Sequence, residues 1–220
     1  MKPQPLYKIG KEMERNNIPD ELQTIWNEAK ACIERDDYDK AIEIYKYILI
    51  RYGDDAISTK YANAYLGDIY LTLKNPETAQ IYIKKAINAD PKEPSYRYQM
   101  GFAYTLQHKW KSAIKEFEIA VTKDPDSGEY LRGLGWAIYN GGDTVKGLTY
   151  LRRANEKDPK NVNILNDLAV VYLGLLDFKN AKQCIKKVLL IDPENYLAKE
   201  TLKQIDFLLK RHKRNNPPQL

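Results

Sequence analysis

The dipeptide Asp-Pro returns at Asp90-Pro91, Asp124-Pro125, Asp158-Pro159 and Asp192-Pro193, each step 34 residues long. Other columns keep the same phase. A small residue stands at Gly67, Gly101, Gly135 and Ala169, and a second at Ala79, Ala113, Gly147 and Ala181. Large apolar residues recur at Leu66, Met100, Leu134 and Leu168, and at Tyr70, Tyr104, Ile138 and Tyr172. A chain with such a period folds as copies of one small unit, each burying its apolar face against its neighbours. One globular core for all 220 residues is thereby excluded.

Within residues 60–93, apolar and small residues fall at helical spacing in two blocks, Ala62 to Leu73 and Thr78 to Ala89, broken by Asn75-Pro76. This predicts a helix, a tight turn and a second helix. The small columns lie where the two helices cross, since Gly or Ala lets the axes approach. The Asp-Pro step is expected to end each unit, because proline disfavours helix in the residue before it and suits the first turn of the next helix.

These columns resemble the tetratricopeptide repeat family in unit length, in both small columns, in the aromatic or aliphatic column and in the closing proline. The resemblance implies an all-α fold, a right-handed α-α superhelix of about five helix-turn-helix repeats with a concave inner face. Four full units are expected at 60–93, 94–127, 128–161 and 162–195. A poorer one at about 22–55 shows Ala29 and Asp37-Tyr38-Asp39-Lys40-Ala41-Ile42 and ends in Gly53, so the repeat domain spans 22–195. Ala41 lies 38 residues before Ala79, so four extra residues around Ala56 to Thr59 lengthen the next helix by a turn. Residues 196–211, with Leu197, Thr201, Leu202, Ile205, Leu208 and Leu209 on one stripe, read as a C-terminal capping helix. In residues 1–21, Leu6, Ile9 and Met13 fit either a short capping helix or a frayed end, and residues 212–220 read as a disordered basic tail.

The residue inventory weighs against chemistry. Cys32 and Cys184 stand 152 residues apart with no second thiol or histidine at ligand spacing, and His108 and His212 are the only histidines. No enzyme, cofactor or metal is expected. Gly133-x-Gly135 and Gly141-Gly142 lack the strand context of a phosphate loop, and the acid pairs Asp36-Asp37 and Asp54-Asp55 sit in turns and read as helix caps or solvated groups. With 43% hydrophobic residues and no apolar run of 18, the chain is expected to be soluble and cytoplasmic, without a transmembrane segment. Of 35 basic and 30 acidic residues, six and two fall after residue 195, so the first 195 residues carry only +1 of the +5 net charge. A neutral body disfavours nucleic acid as the main ligand.

In the family, the first helix of each pair lines the groove, and its non-core columns are free to meet a ligand. Here they hold Trp26, Tyr61, Tyr98, Phe102, Trp136 and Tyr139 with Asp68, Glu129, Arg132, Asn140, Asn163 and Asn166. Such rings and amides imply an aromatic groove for a peptide or helix of a protein partner. The alternative is that some rings, Tyr98 and Phe102 above all, pack between neighbouring first helices. The carboxylate clamp by which the family holds acidic C-terminal tails needs Lys, Asn and Arg in set columns. Those columns hold Trp26 and Lys30, Tyr65, Ser95 and Gln99; then Ala64 and Asp68, Gln99, Glu129 and Gly133; then Tyr98 and Phe102, Gly133, Asn163 and Asp167. None supplies the basic set, so the partner is expected to be neutral, apolar or mildly basic. Self-assembly through residues 1–21 and the groove, with the chain a monomer or weak homo-oligomer, and recruitment to RNA or anionic membrane by Lys210-Arg211-His212-Lys213-Arg214 are the other readings.

The fourth unit departs from the pattern. Gly147 replaces alanine inside a helix, Asn140-Gly141-Gly142 occupies the turn, and Gly133 and Gly135 loosen the first helix. Two readings stand: a bending point over residues 132–147, or glycines that permit closer helix packing.

Overall fold

A computed structural model describes residues 19–215, with side chains as far as His212. The expected helix on Leu6, Ile9 and Met13, and residues 216–220 of the expected tail, lie outside the described residues. Eleven helices and no strand occur among the described residues. The chain divides into two compact units between Lys123 and Asp124. The first holds three helix pairs: α1 (Asp20–Glu34) with α2 (Tyr38–Arg51), α3 (Ala56–Thr72) with α4 (Pro76–Ala89), and α5 (Pro94–Leu106) with α6 (Trp110–Lys123). The second holds α7 (Gly128–Asn140) with α8 (Thr144–Lys157), α9 (Val162–Gly174) with α10 (Phe178–Ile191), and α11 (Tyr196–Asn215). Where a disordered tail was expected from residue 212, α11 runs on to Asn215.

The turn inside each pair is one conformation repeated five times. Asp36, Lys74, His108, Gly142 and Leu176 all have positive φ, between 56° and 58° except for 105° at the glycine. The next residue in each case returns its N–H to a carbonyl five positions back, as in Asn75 to Tyr70 and Asp177 to Tyr172, both 2.8 Å. Asp37, Asn75, Asp143 and Asp177 then accept from the amide three residues on and start the second helix. Asp55 does the same for α3. The turn at Asn140-Gly141-Gly142 is therefore no looser in its bonding than the other four.

Asp-Pro acts differently from expectation. The second helices α4, α8 and α10 end one residue before Asp90, Asp158 and Asp192, whose extended φ of −133° to −144° is what a following proline imposes. The proline, however, sits in the turn, and the next helix begins three residues after it.

The small columns mark the crossings. A methyl added at Gly67 would fall 2.5 Å from the Ile83 side chain, and one at Gly101 would fall 2.7 Å from the Phe117 ring. In the fourth pair both partners are glycine, and a Cβ on either would meet the other helix's backbone within 3.0 Å. Close packing gives these glycines a structural reason, the second of the two readings above. Between the first and second pairs, Trp26 of α1, Tyr45 of α2 and Tyr65 of α3 form one buried cluster, with Tyr45 stacked on Tyr65 at 5.1 Å and Trp26 tilted against both.

Candidate partner-binding face

The expected strip of rings is only partly a surface. Trp26, Tyr61, Tyr98 and Phe102, read from sequence as groove contacts, are all 5% exposed or less, which corrects that expectation. Trp26 belongs to the three-ring cluster, and Tyr98 tilts against Phe117 of the second helix of its own pair at 5.4 Å. Rings of this size are stabilised most by burial, and a helix pair offers few other large groups to fill the space. Trp136 and Tyr139 remain half-buried with centroids 5.8 Å apart, while Asn163 is exposed and Asn166 half-buried. Asn140 donates to the Trp136 carbonyl at 2.8 Å and closes the end of α7.

The second unit also carries a charged network. Arg132, 1% exposed, contacts the Glu129 carboxylate at 2.5 Å one turn earlier and the Asp167 carboxylate of α9 at 3.5 Å. Helical spacing sets Glu129, Arg132 and Trp136 along one stripe of α7, and Asn163, Asp167 and exposed Val170 along one stripe of α9. Burial pushes the Asp167 carboxyl up to about 6, with Arg132 opposing and Glu129 adding to the rise. Asp167 was read from sequence only as a clamp-column residue, not as a site residue.

The first unit shows the same relation in neutral form. Gln99 donates to the Ala64 carbonyl at 3.2 Å, and Ala64 to Gln99 is the same 35-residue step as Arg132 to Asp167. Asp68 stands on α3 beside Gln99; its Oδ1 is shut off from solvent without a hydrogen-bond donor. Burial raises this carboxyl to about 7, the Gln99 side chain acting in the opposite sense. It adds to the elevation of the Tyr65 phenol to about 12, which burial mainly causes.

The Asp68 shift has a testable sign. The folded chain keeps this proton at pH values where the unfolded chain has lost it, so stability falls as pH rises from 3.8 towards about 7 and is level above. Asp167 acts in the same sense over a narrower window. Urea unfolding at pH 5 and pH 8 should show a loss of about 1–3 kcal/mol at the higher pH. Asp68→Asn should remove a large part of that slope; an unchanged slope would show that the carboxyl is ionised in the folded chain at both pH values.

Among the described residues no group of His, Cys, Asp and Glu is placed to hold a metal ion, and no helix is long and apolar enough to cross a membrane. Asp37 and Asp55, from the two acid pairs, are helix caps.

Sequence models described as tetratricopeptide repeat match residues 62–93, 105–162 and 162–195, more than half of the chain. The chain belongs to the tetratricopeptide-repeat family. Among solved structures, this tetratricopeptide-repeat chain is similar to TTC0263, a thermophilic repeat protein of Thermus thermophilus, with a TM-score of 0.71 at 15% identity over 84% of this chain and 98% of that one. MamA from Desulfovibrio magneticus RS-1 gives 0.64 at 19% identity, covering 80% and 98%. YrrB, described as a repeat protein with an unusual peptide-binding site, gives 0.57 at 21% identity, covering 89% and 97%. Identities this low speak for the fold alone. Human Protein O-mannosyl-transferase TMTC3 is 28% identical over 145 residues, 63% of this chain, which spans only 16% of that protein's length.

Proposed function

We propose that this repeat protein is a non-catalytic adaptor that holds a neutral or mildly basic peptide segment of a protein partner on the first-helix face of its second unit. The fold is that of a protein-interaction scaffold. The observation that carries the chemistry of the ligand is the state of Arg132. It is the one cation among the clamp and groove columns of α7 and α9, and it is buried between Glu129 and Asp167. An arginine so held has its charge offset by two carboxylates, which makes it a poor receptor for a third. The half-buried rings of Trp136 and Tyr139 provide contact area at low entropic cost, with the amides of Asn163 and Asn166 nearby on α9 for the peptide backbone. Large half-exposed rings beside polar groups are a frequent feature of interface centres.

A peptide-display selection on the intact chain tests this reading. Neutral or basic sequences should be enriched, and the enrichment should vanish with Trp136→Ala and Tyr139→Ala combined while helicity is kept. Enrichment of peptides ending in acidic residues, or selection that survives the double substitution, would refute it.

A further inference from the structure

α11 carries large apolar side chains on a face that no other described helix covers. Ala198 and Ile205 are buried on the inner side. Away from them Tyr196 is 76% exposed, Leu197 71%, Phe207 65% and Leu208 39%. The expected stripe accordingly divides, with Ile205 inside and Leu197 and Leu208 outside.

Residue spacing says what this face is not for. Thirty-four residues beyond Ala169 and Tyr172, whose columns receive the second helix of each pair, stand Lys203 and Asp206. Asp206 is bound there to Lys182. A charged pair of columns is unsuited to a second helix of the usual kind.

The exposed stripe has an order of its own. Tyr196, Glu200, Lys203 and Phe207 follow one another at intervals of four, three and four residues, so they share one line along the helix. The line is aromatic, acid, base, aromatic. Turned end for end, it presents an aromatic to each aromatic and an opposite charge to each charge. A two-fold axis passing between Thr201 and Leu202 would set Tyr196 against Phe207 of a copy and Glu200 against Lys203 of a copy. Within one chain, Lys203 already reaches Glu200 at 2.7 Å, so each carboxylate would lie between two ammonium groups in the pair. A shallow depression bounded by Lys203, Gln204, Phe207 and Leu208 lies on this face and is of a kind to receive a ring.

We infer that α11 is a homodimerisation helix, which pairs antiparallel with α11 of a second copy through Tyr196, Glu200, Lys203 and Phe207. The aromatic ends supply the burial and the central charges fix direction, because a parallel pairing would oppose like charges. A single helix-on-helix contact buries about 1,000 Å² at most, the low end for specific interfaces, so the dimer is reversible and of roughly micromolar affinity. This pairing is independent of the peptide-binding reading and involves none of its residues.

Sedimentation of the intact chain over about a hundredfold range of concentration should show the 25.6 kDa species giving way to one of twice that mass. Phe207→Glu should weaken association by about tenfold or more. Glu200→Lys alone, which opposes Lys203 of the copy, should weaken it similarly, and Glu200→Lys with Lys203→Glu should restore it to within about threefold. Lys203 and Phe207 are exposed and Glu200 is half-buried, and circular dichroism of each variant checks that the helices remain. A chain that stays monomeric throughout, a Phe207→Glu variant that dimerises as tightly as the parent, or a double charge reversal no better than the single one would overturn the inference.

Discussion

Gly147→Ala is expected to destabilise the chain by about 2 kcal/mol, although helix propensity alone would make it more stable by about 1 kcal/mol. The column to which Gly147 belongs holds alanine at 79, 113 and 181, so the substitution restores the pattern of the other pairs. What opposes it is the crossing of α7 and α8. A Cβ at 147 would stand 2.9 Å from the Gly135 carbonyl oxygen and 2.9 Å from both the nitrogen and the Cβ of Tyr139. None of these atoms can rotate aside, unlike the Ile83 and Phe117 side chains that face Gly67 and Gly101. The two helices would have to separate, and Leu151, buried beside Gly135, would lose packing with them. Denaturant midpoints of the two proteins decide the matter, and a variant more stable than the parent would show that the pair has slack the structure does not contain.

Arg132→Ala should cost still more, about 3–5 kcal/mol, because it leaves the carboxylates of Glu129 and Asp167 under cover without their guanidinium. The effect should depend on pH in a defined direction. Asp167 already holds its proton up to about 6 with the arginine present, and removing the arginine raises that value further. Below it the variant carries a neutral acid at this point and loses less; above it the variant must bury a charge or take up a proton, and loses more. Unfolding by urea at pH 5 and pH 8 should therefore show the larger deficit at pH 8. Adding Asp167→Asn to the arginine variant should recover part of the loss at pH 8 and little at pH 5. A deficit under about 1 kcal/mol at both pH values would mean that the network is wet and of no structural weight.

The periodic columns were legible because they are local: small residues at a crossing and a proline after a helix are demanded at each copy. The same logic correctly placed the added turn at Ala56, where α3 begins. What the columns could not give was the fate of individual rings. Phe102 and Trp136 occupy one column, 34 residues apart on successive first helices, yet the first is buried and the second half-buried, since the outcome depends on the neighbours each happens to meet. The Arg132–Asp167 pair did leave a signal. A residue and the one 35 positions later, one repeat plus one, touch across adjacent first helices, as Ala64 and Gln99 do. A scan for opposite charges at that separation would have found it. The turn residues left none: an αL position filled by Asp, Lys, His and Leu is invisible to a search for glycine, because it is imposed by the helices on either side.

The 17 residues of α3, against 13 in α5, α7 and α9, carry one further meaning. Four residues advance a helix by about 400°, so an insertion of that size returns the chain to within about 40° of its former facing and lifts the starting end by about 6 Å. Gly67 still meets Ile83 because nothing downstream has been turned away from its partner. An insertion of one or two residues at the same place would have swung the point where the preceding chain enters by about 100–200° around the helix axis. Length in such a chain is in effect quantised. A whole helical turn can be gained or lost at a repeat boundary at little cost, and the interval of 38 between Ala41 and Ala79 is one such permitted length in an otherwise regular count.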